Sequence, residues 1–210
     1  MSSRLVIATG NAHKIGELRD LLPGISLVGL DAFSPAPAPE ETAPDYEGNA
    51  ILKARAAFLH TRTPSLADDS GLEVVGLDGA PGIHSARYAP GDDADRRRAL
   101  LANLAARGGG ASREARFVCV IAVAGLTEVP GLRFIEDCVV VRGICSGRIL
   151  ESERGVGGFG YDPLFEVPAL GRTFAELTAA EKHSLSHRGR AAAALLPALH
   201  AFFDVPTRSA

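Results

Sequence analysis

Short apolar runs alternate with segments of helical spacing along most of the chain. Residues 5–8 form a wholly apolar run, typical of a buried strand, and the polar turn Thr9-Gly10-Asn11 follows it. Helical spacing of apolar residues comes next, up to Pro23-Gly24, at Ile15, Leu18, Leu21 and Leu22. The chain is therefore predicted to open with a strand, a turn and a helix.

The same two patterns continue to the end of the chain. Strands are predicted at residues 25–30, 72–77, 115–124, 133–142 and 144–150, and helices near Asn49 and after Asp92 or Asp93. A last helix is predicted around residues 192–203, with a kink or restart at Pro197. This order indicates an α/β fold with an elongated mixed central sheet and flanking helices, and two lobes around a cleft would fit it. No repeat or linker divides the chain, so one domain over residues 1–210 is predicted.

Composition narrows the class of protein. Apolar residues make up 46% and charged residues 22%, as in ordinary globular domains, and no apolar run is long enough for a membrane span. No signal peptide is recognisable, so we expect a cytoplasmic protein that does not bind membranes. The net charge of −3 argues against a nucleic-acid partner. The three cysteines lack metal or disulfide spacing and are interpreted as buried apolar residues.

Lysine is rare and unevenly placed. The chain has 19 arginines but only three lysines, Lys14, Lys53 and Lys182, and each lies in a segment singled out below. An ammonium is a compact point charge suited to phosphate oxygens, whereas guanidinium is a planar fork. We therefore predict that the lysines contact an anionic ligand, although three positions could also coincide by chance.

The first turn is a candidate phosphate site. Thr9-Gly10-Asn11-x-x-Lys14 joins a strand to a helix, so the first helical amides and Lys14 could face one phosphate group. The alternative is that Asn11 caps the helix while Lys14 is solvated. The longer glycine pattern of a Walker loop is missing.

Paired acids form a candidate metal site. Asp68-Asp69-Ser70-Gly71 follows an apolar stretch, which places the acids at a predicted strand end, and Glu40 or Glu41 could add a carboxylate. Magnesium prefers a few carboxylates together with phosphate oxygens. Adjacent strand residues point to opposite faces, so at most one of the two aspartates is expected to face a metal. Solvated loop acids are the alternative.

Two later segments could hold a nucleotide base. The run from Gly157 to Pro163 combines glycine freedom with aromatic rings, and the run from Lys182 to Arg188 concentrates cationic side chains. A glycine turn with core aromatics and a solvated basic loop are the respective alternatives. Arg96-Arg97-Arg98 is interpreted as the solvent face of a helix.

Together the segments resemble the inosine triphosphate pyrophosphatase family, which hydrolyses non-canonical purine nucleoside triphosphates. The blocks occur in the family's order between residues 8 and 188. They are Ala8-Thr9-Gly10-Asn11-x-x-Lys14, Glu47-Gly48-Asn49-Ala50-x-x-Lys53-Ala54, Ala67-Asp68-Asp69-Ser70-Gly71-Leu72, Gly158-Phe159-Gly160-Tyr161-Asp162-Pro163, and Ser186-His187-Arg188 with Lys182 upstream. Gly48 departs from the pattern, because many members have a second acid there.

The resemblance implies a nucleotide-binding cleft, a homodimer, and magnesium-dependent cleavage of dITP, ITP and XTP to the monophosphate and pyrophosphate. Asp69 is implied as the acid that activates water and holds Mg²⁺, with Glu40 as the second metal carboxylate. The implied triphosphate contacts are Thr9, Gly10, Asn11, Ala12, His13, Lys14, Lys53 and Ser70. The implied base and sugar contacts are Phe159, Gly160, Tyr161, Asp162, Lys182, His187 and Arg188.

Two other functions remain open on the sequence. A nucleotide-binding sensor would grip purine triphosphates without cleaving them, although binding alone does not require an acid such as Asp69. A broader nucleotidase would also cleave GTP and ATP. Pyrophosphate release from a panel of triphosphates separates the three.

Overall fold

A computed structural model describes residues 4–35, 39–127 and 129–205. Its helices are α1 Ala12–Leu21, α2 Tyr46–Thr61, α3 Asp93–Ala106, α4 Ala179–Leu185 and α5 His187–Phe202. Its strands are β1 Arg4–Ile7, β2 Ser26–Gly29, β3 Ser65–Val74, β4 Glu114–Ala124, β5 Arg133–Ile135, β6 Cys138–Ile149, β7 Phe165–Val167 and β8 Arg172–Thr173. Residues 36–38 of the proline-rich loop and the two ends of the predicted domain lie outside the described residues.

The strands form one eight-stranded sheet in the order β2-β1-β3-β4-β6-β7-β8, with β5 paired to β6. The β1 strand runs parallel to β2 and β3, whereas β6, β7 and β8 pair antiparallel. The sheet is therefore mixed. Together with the five helices it confirms the predicted α/β class.

The chain separates into two compact units. Unit 1 comprises the described residues of Met1–Asp69, Cys119–Gly143 and Arg188–Ala210, and unit 2 comprises Ser70–Val118 and Ile144–His187. The boundaries between the units fall inside β3, β4 and β6, and after the first residue of α5.

Each unit has its own apolar core. In unit 1, Leu18 and Leu22 pack with Leu5 of β1 and with Leu195 and Leu199 of α5. The core of unit 2 joins β3, α3, β4 and β6 to the aromatic rings of Phe117, Phe165 and Phe174. These cores hold the polar residues described below on fixed strands and helices.

The cysteines lie inside these cores, as predicted. Cys119 and Cys138 belong to unit 1 and Cys145 to unit 2, and all three are buried. Burial raises the pKa of the Cys119 thiol to about 12 and that of Cys138 to about 11.

Two of the predicted boundaries were wrong. The β3 strand runs unbroken through Asp68-Asp69-Ser70-Gly71, so these acids lie within a strand and not at its end. The predicted strands at 133–142 and 144–150 are instead β5 and the longer β6, because Glu136 and Asp137 adopt positive φ and form a two-residue turn. Pro197 lies inside α5 without ending it.

Packing accounts for the tolerance of Pro197. Leu195 and Leu199, on either side of this proline, are fully buried in the core of unit 1. This burial offsets the backbone hydrogen bond that a proline cannot make. Within the described residues, no helix is both long and apolar enough to cross a membrane.

Candidate active site

Asp69 lies in a small cluster of charges in unit 1. The Nζ atom of Lys53, from α2, donates to Asp69 Oδ1 at 2.8 Å and to Glu41 Oε1 at 3.0 Å. The Lys53 side chain is only 15% exposed and that of Asp69 10%, so water weakens these contacts little. The α2 helix that carries Lys53 is capped at its N-terminus by Asp45, whose side chain accepts from the Gly48 amide.

Burial sets the acidity of this pair. Loss of solvent raises the pKa of Asp69, and the neighbouring Glu41 raises it further, although Lys53 pulls in the opposite direction. Burial works against the charge on Lys53, but its carboxylate neighbours, Asp69 above all, raise its pKa overall. Lys53 is thus held charged between acids, while Asp69 is more basic than an ordinary carboxylate.

The second oxygen of Asp69 gives a test of the predicted metal. Asp69 Oδ2 is buried, and no residue of the described chain hydrogen-bonds it. Such an oxygen fits a cation, because an unpaired buried acceptor is otherwise costly. No group of three or more His, Cys, Asp or Glu side chains in the described part of the chain could hold a metal. Two carboxylates completed by substrate phosphates and water would suit magnesium.

Glu41 is the acid that the fold brings to Asp69. It shares the Lys53 ammonium with Asp69, whereas Glu40 is exposed. The geometry therefore favours Glu41 over the predicted Glu40 as the second carboxylate. Sequence could not separate them, because the two glutamates are adjacent.

Asp68 organises a second group of charges in unit 1. Its Oδ2 atom lies 2.9 Å from Lys14 Nζ and 3.0 Å from Arg188 Nη2. Burial alone would raise the pKa of Asp68, but Lys14 and Arg188 hold it well below its usual range. Arg188 also pairs with Glu17 of α1. Arg188, predicted at the base, is therefore linked through Asp68 to Lys14, predicted at the triphosphate.

The first turn has the helix cap of one alternative, but not the solvated lysine that went with it. Asn11 caps α1, and its side chain accepts from the amides of His13 and Lys14 at 3.0 and 3.2 Å. Thr9 supports the turn by accepting from the Asn11 amide. Lys14, however, is not a solvated lysine, because its side chain is 17% exposed and paired with Asp68. Exposed positions at the start of α1 are Gly10, Ala12 and His13.

Three residues predicted to hold the base come together in unit 2. Asp162 Oδ2 accepts from Lys182 Nζ at 2.7 Å and from the Phe159 amide at 2.9 Å. The Lys182 ammonium lies 4.9 Å from the centre of the Phe159 ring, which is a favourable cation–π contact. Gly158 has φ +72°, and a Cβ there would come within 2.1 Å of Asp162 Oδ2. The glycine is needed for this close approach.

Two neighbouring aromatic groups have packing roles. Tyr161 is a core residue, and its hydroxyl donates to the Ser85 carbonyl at 2.9 Å. The buried imidazole of His187 stacks on Phe117, with ring centres 4.7 Å apart. Lys182, Ser186 and His187 are buried on or between α4 and the start of α5, so the alternative of a solvated loop was wrong.

Sequence reasoning missed several partners of these residues. It named neither Glu17 nor Phe117, which contact Arg188 and His187 from far along the chain. It placed Arg97 on a solvent face, yet that side chain is 14% exposed. For Asp68 the sequence did contain a signal of a separate role, because alternation along a strand requires Asp68 and Asp69 to face opposite sides of the sheet.

Comparisons with known proteins identify the family of this chain. The sequence model of the Ham1 family matches residues 5–198. A dITP/XTP pyrophosphatase of Symbiobacterium thermophilum is 49% identical, over 96% of this chain and 97% of the relative. One from Gloeobacter violaceus is 50% identical, over 91% and 92%.

Solved structures extend the likeness to the fold. The HAM1 protein of Coxiella burnetii has a TM-score of 0.82 at 39% identity, covering 94% of this chain and 98% of that one. The Staphylococcus aureus Ham1 protein has a TM-score of 0.81 at 38% identity, with the same coverage. The family predicted from five short motifs is thus matched along nearly the whole chain, which belongs to the Ham1 family.

Proposed function

We propose that this protein hydrolyses dITP, ITP and XTP to the nucleoside monophosphate and pyrophosphate with the help of magnesium. The observation that carries the proposal is the buried Asp69, with one oxygen held by Lys53 and the other without a hydrogen-bond partner in the described chain. The relatives from Symbiobacterium and Gloeobacter bear the name of this activity at 49% and 50% identity.

The chain's own groups suit phosphoanhydride hydrolysis. Water adds its oxygen to phosphorus, the bond between the α and β phosphates breaks, and pyrophosphate leaves. Asp69 is placed to orient this water and to take its proton, because it is buried and one of its oxygens has no hydrogen-bond partner in the described chain. Lys53 holds the carboxylate in place, and Lys14 supplies positive charge for the triphosphate.

Asp69 and Glu41 are the residues that would hold magnesium. When bound, magnesium would neutralise phosphate charge and make phosphorus a better electrophile. Chelation should therefore abolish turnover, and added Mg²⁺ should restore it.

Base selection is proposed for the Phe159–Lys182 group. Hypoxanthine and xanthine carry an acceptor oxygen at C6, whereas adenine carries a donor amine. A donor such as the Lys182 ammonium would hydrogen-bond to the C6 oxygen of the first two bases, but would face a second donor in adenine. In a site built around that hydrogen bond, the discrimination against adenine can reach roughly 10⁴-fold. Guanine shares the C6 oxygen, so its exclusion requires a wall of hydrogen-bond donors at C2, which would oppose the guanine amine but accept the oxygen of xanthine. Phe159 would stack on the purine ring.

A substrate panel tests the proposal. Pyrophosphate release with Mg²⁺ should give kcat/KM values for dITP and XTP far above those for GTP and ATP. Binding of dITP without pyrophosphate release would instead identify a nucleotide sensor. Comparable turnover of GTP would contradict the C2 wall and favour the broader nucleotidase.

The assembly and the location remain predictions. The family resemblance implies a homodimer, and the substrate implies the cytoplasm, where nucleotide pools are used. No nucleic-acid or membrane partner is proposed.

A further inference from the structure

Two side chains of the α3 helix hydrogen-bond to one residue, Gly160, of the glycine-rich loop of unit 2 at residues 157–163. Asp93 Oδ2 accepts from the Gly160 amide at 2.7 Å, and Arg97 Nη1 donates to the Gly160 carbonyl at 2.8 Å. Asp93 and Arg97 are four residues apart in α3, so they project from one face of the helix. Both main-chain polar groups of Gly160 are thus bound by one rigid element.

Each of these two side chains is itself anchored. Asp93 also accepts from Arg96, and Arg97 Nε donates to Glu153 Oε1 at 2.8 Å. Burial disfavours the charge of Asp93, but hydrogen bonds from Arg96 and from the Gly160 amide hold its pKa below the usual range. The amide of Gly160 therefore meets a charged acceptor, which makes the stronger kind of hydrogen bond.

These hydrogen bonds support Gly160 in an uncommon backbone conformation. Gly160 has φ +60°, a left-handed conformation, and an added Cβ would meet no atom within 4 Å. Packing around the α-carbon does not hold the loop there, so the two hydrogen bonds orient the peptide groups on both sides of Gly160, together with the Asp162 amide, which donates to the Phe159 carbonyl at 3.2 Å. Its neighbour Phe159 is the ring that lies beside the Lys182 ammonium.

We infer that Asp93 and Arg97 are positioning residues that set base specificity by fixing the Gly160 peptide and, through it, the Phe159 ring. This inference rests on the proposed function, because Phe159 acts there on the purine base. We call the hydrogen bonds of Asp93 and Arg97 to Gly160 the clamp. Neither side chain belongs to the Lys53–Asp69 pair, so the clamp should affect recognition of the base more than the hydrolytic step.

Arg97→Met removes the donor to Gly160 while keeping a long apolar stem. It should raise KM for dITP about tenfold, leave kcat within about twofold, and lower the preference for dITP over ATP about tenfold. Arg97→Lys keeps a donor and should recover most of the affinity. Arg98→Met is the matched control, because Arg98 pairs with Asp95 on the same helix and is 68% exposed.

A double variant tests whether the effect passes through Phe159. In a Phe159→Ala background, Arg97→Met should change KM and selectivity little further. An undiminished effect there, or an Arg97→Met enzyme with the parent's KM and selectivity, would overturn the clamp. Asp93→Ala removes the acceptor of the Gly160 amide and must likewise raise KM while leaving kcat nearly unchanged. This second variant keeps the inference testable if the Arg97→Met protein fails to fold.

The activity of the unsubstituted protein distinguishes failure of this inference from failure of the proposed function. A parent that releases no pyrophosphate from any purine triphosphate overturns the proposed function, and the clamp's role in specificity with it. An active and selective parent whose Arg97 and Asp93 variants are unchanged overturns the clamp alone.

Discussion

Asp68 and Asp69 are neighbours in β3 whose surroundings are opposite. Asp68 meets Lys14 and Arg188, which keep it ionised, whereas burial makes Asp69 a stronger base. Alternation along the strand is the cause, because each carboxylate points to a different face of the sheet. Asp68 is therefore held by two cationic side chains, whereas Asp69 pairs with Lys53 and keeps one oxygen without a hydrogen-bond partner in the described chain. The role of proton acceptor is proposed for Asp69.

Asp69→Asn should lower kcat for dITP by about a hundredfold or more, the usual scale for a general base. The fold should survive, since Glu41 still pairs with Lys53 and no buried charge is added. Steady-state pyrophosphate release and thermal unfolding measure the two effects.

Asp78→Asn is the matched control for this variant. It makes the same change at a 78% exposed side chain, where asparagine tolerates the left-handed backbone. An Asp69→Asn enzyme as active as this control would contradict the catalytic role.

Lys53→Arg should lower kcat/KM about tenfold or more, although the charge is kept. A planar guanidinium cannot replace a compact ammonium that lies 2.8 Å from Asp69 and 3.0 Å from Glu41. Arg55→Lys, the reverse exchange on the same helix at a pair with Glu136, should leave kcat/KM unchanged. Equal values for all three proteins would mean that the placing of the lysines is coincidence.

At the scale of the element, the turn before α1 has a capping function in the structure and a predicted function in phosphate binding. Asn11 satisfies two orphan amides of the helix, and the same turn is predicted to hold phosphate. Helix capping by itself would not require the partly buried Lys14, so the capping and the predicted phosphate binding can be separated by substitution.

Asn11→Ala should destabilise the protein by about 1 kcal/mol, because two amides lose their acceptor. Asn11→Asp should keep the cap but raise KM for dITP, since a carboxylate repels the triphosphate. Thermal unfolding and steady-state kinetics of both variants check this. A parent-like KM for Asn11→Asp would leave the turn with a capping role only.

Element boundaries show where local pattern stops being informative. The polar run Asp68-Asp69-Ser70-Gly71 predicts a turn, because aspartate and glycine are poor strand formers. The strand continues because Lys14, Lys53 and Arg188 neutralise the two acids. These partners are distant in sequence, so no local window contains them.

At the scale of the whole molecule, apolar periodicity was enough to predict the α/β class, since it reflects burial directly. Motif order was enough for the family. The pairing of Lys53 with Asp69 and Glu41, and the clamp on Gly160, depend on tertiary contacts between residues 12 to 67 positions apart. Arg97 shows the limit most clearly, because a run of three arginines on a helix gives no sign of which one is buried.

The labelling rates of the buried thiols can report local opening of the structure. With pKa values near 12 and 11, Cys119 and Cys138 contain almost no thiolate at neutral pH while they stay in the core. A thiol-reactive dye must therefore wait until the surrounding structure opens. Because Cys145 belongs to unit 2 and the other two to unit 1, peptide-resolved labelling rates time the opening of each unit without any introduced probe.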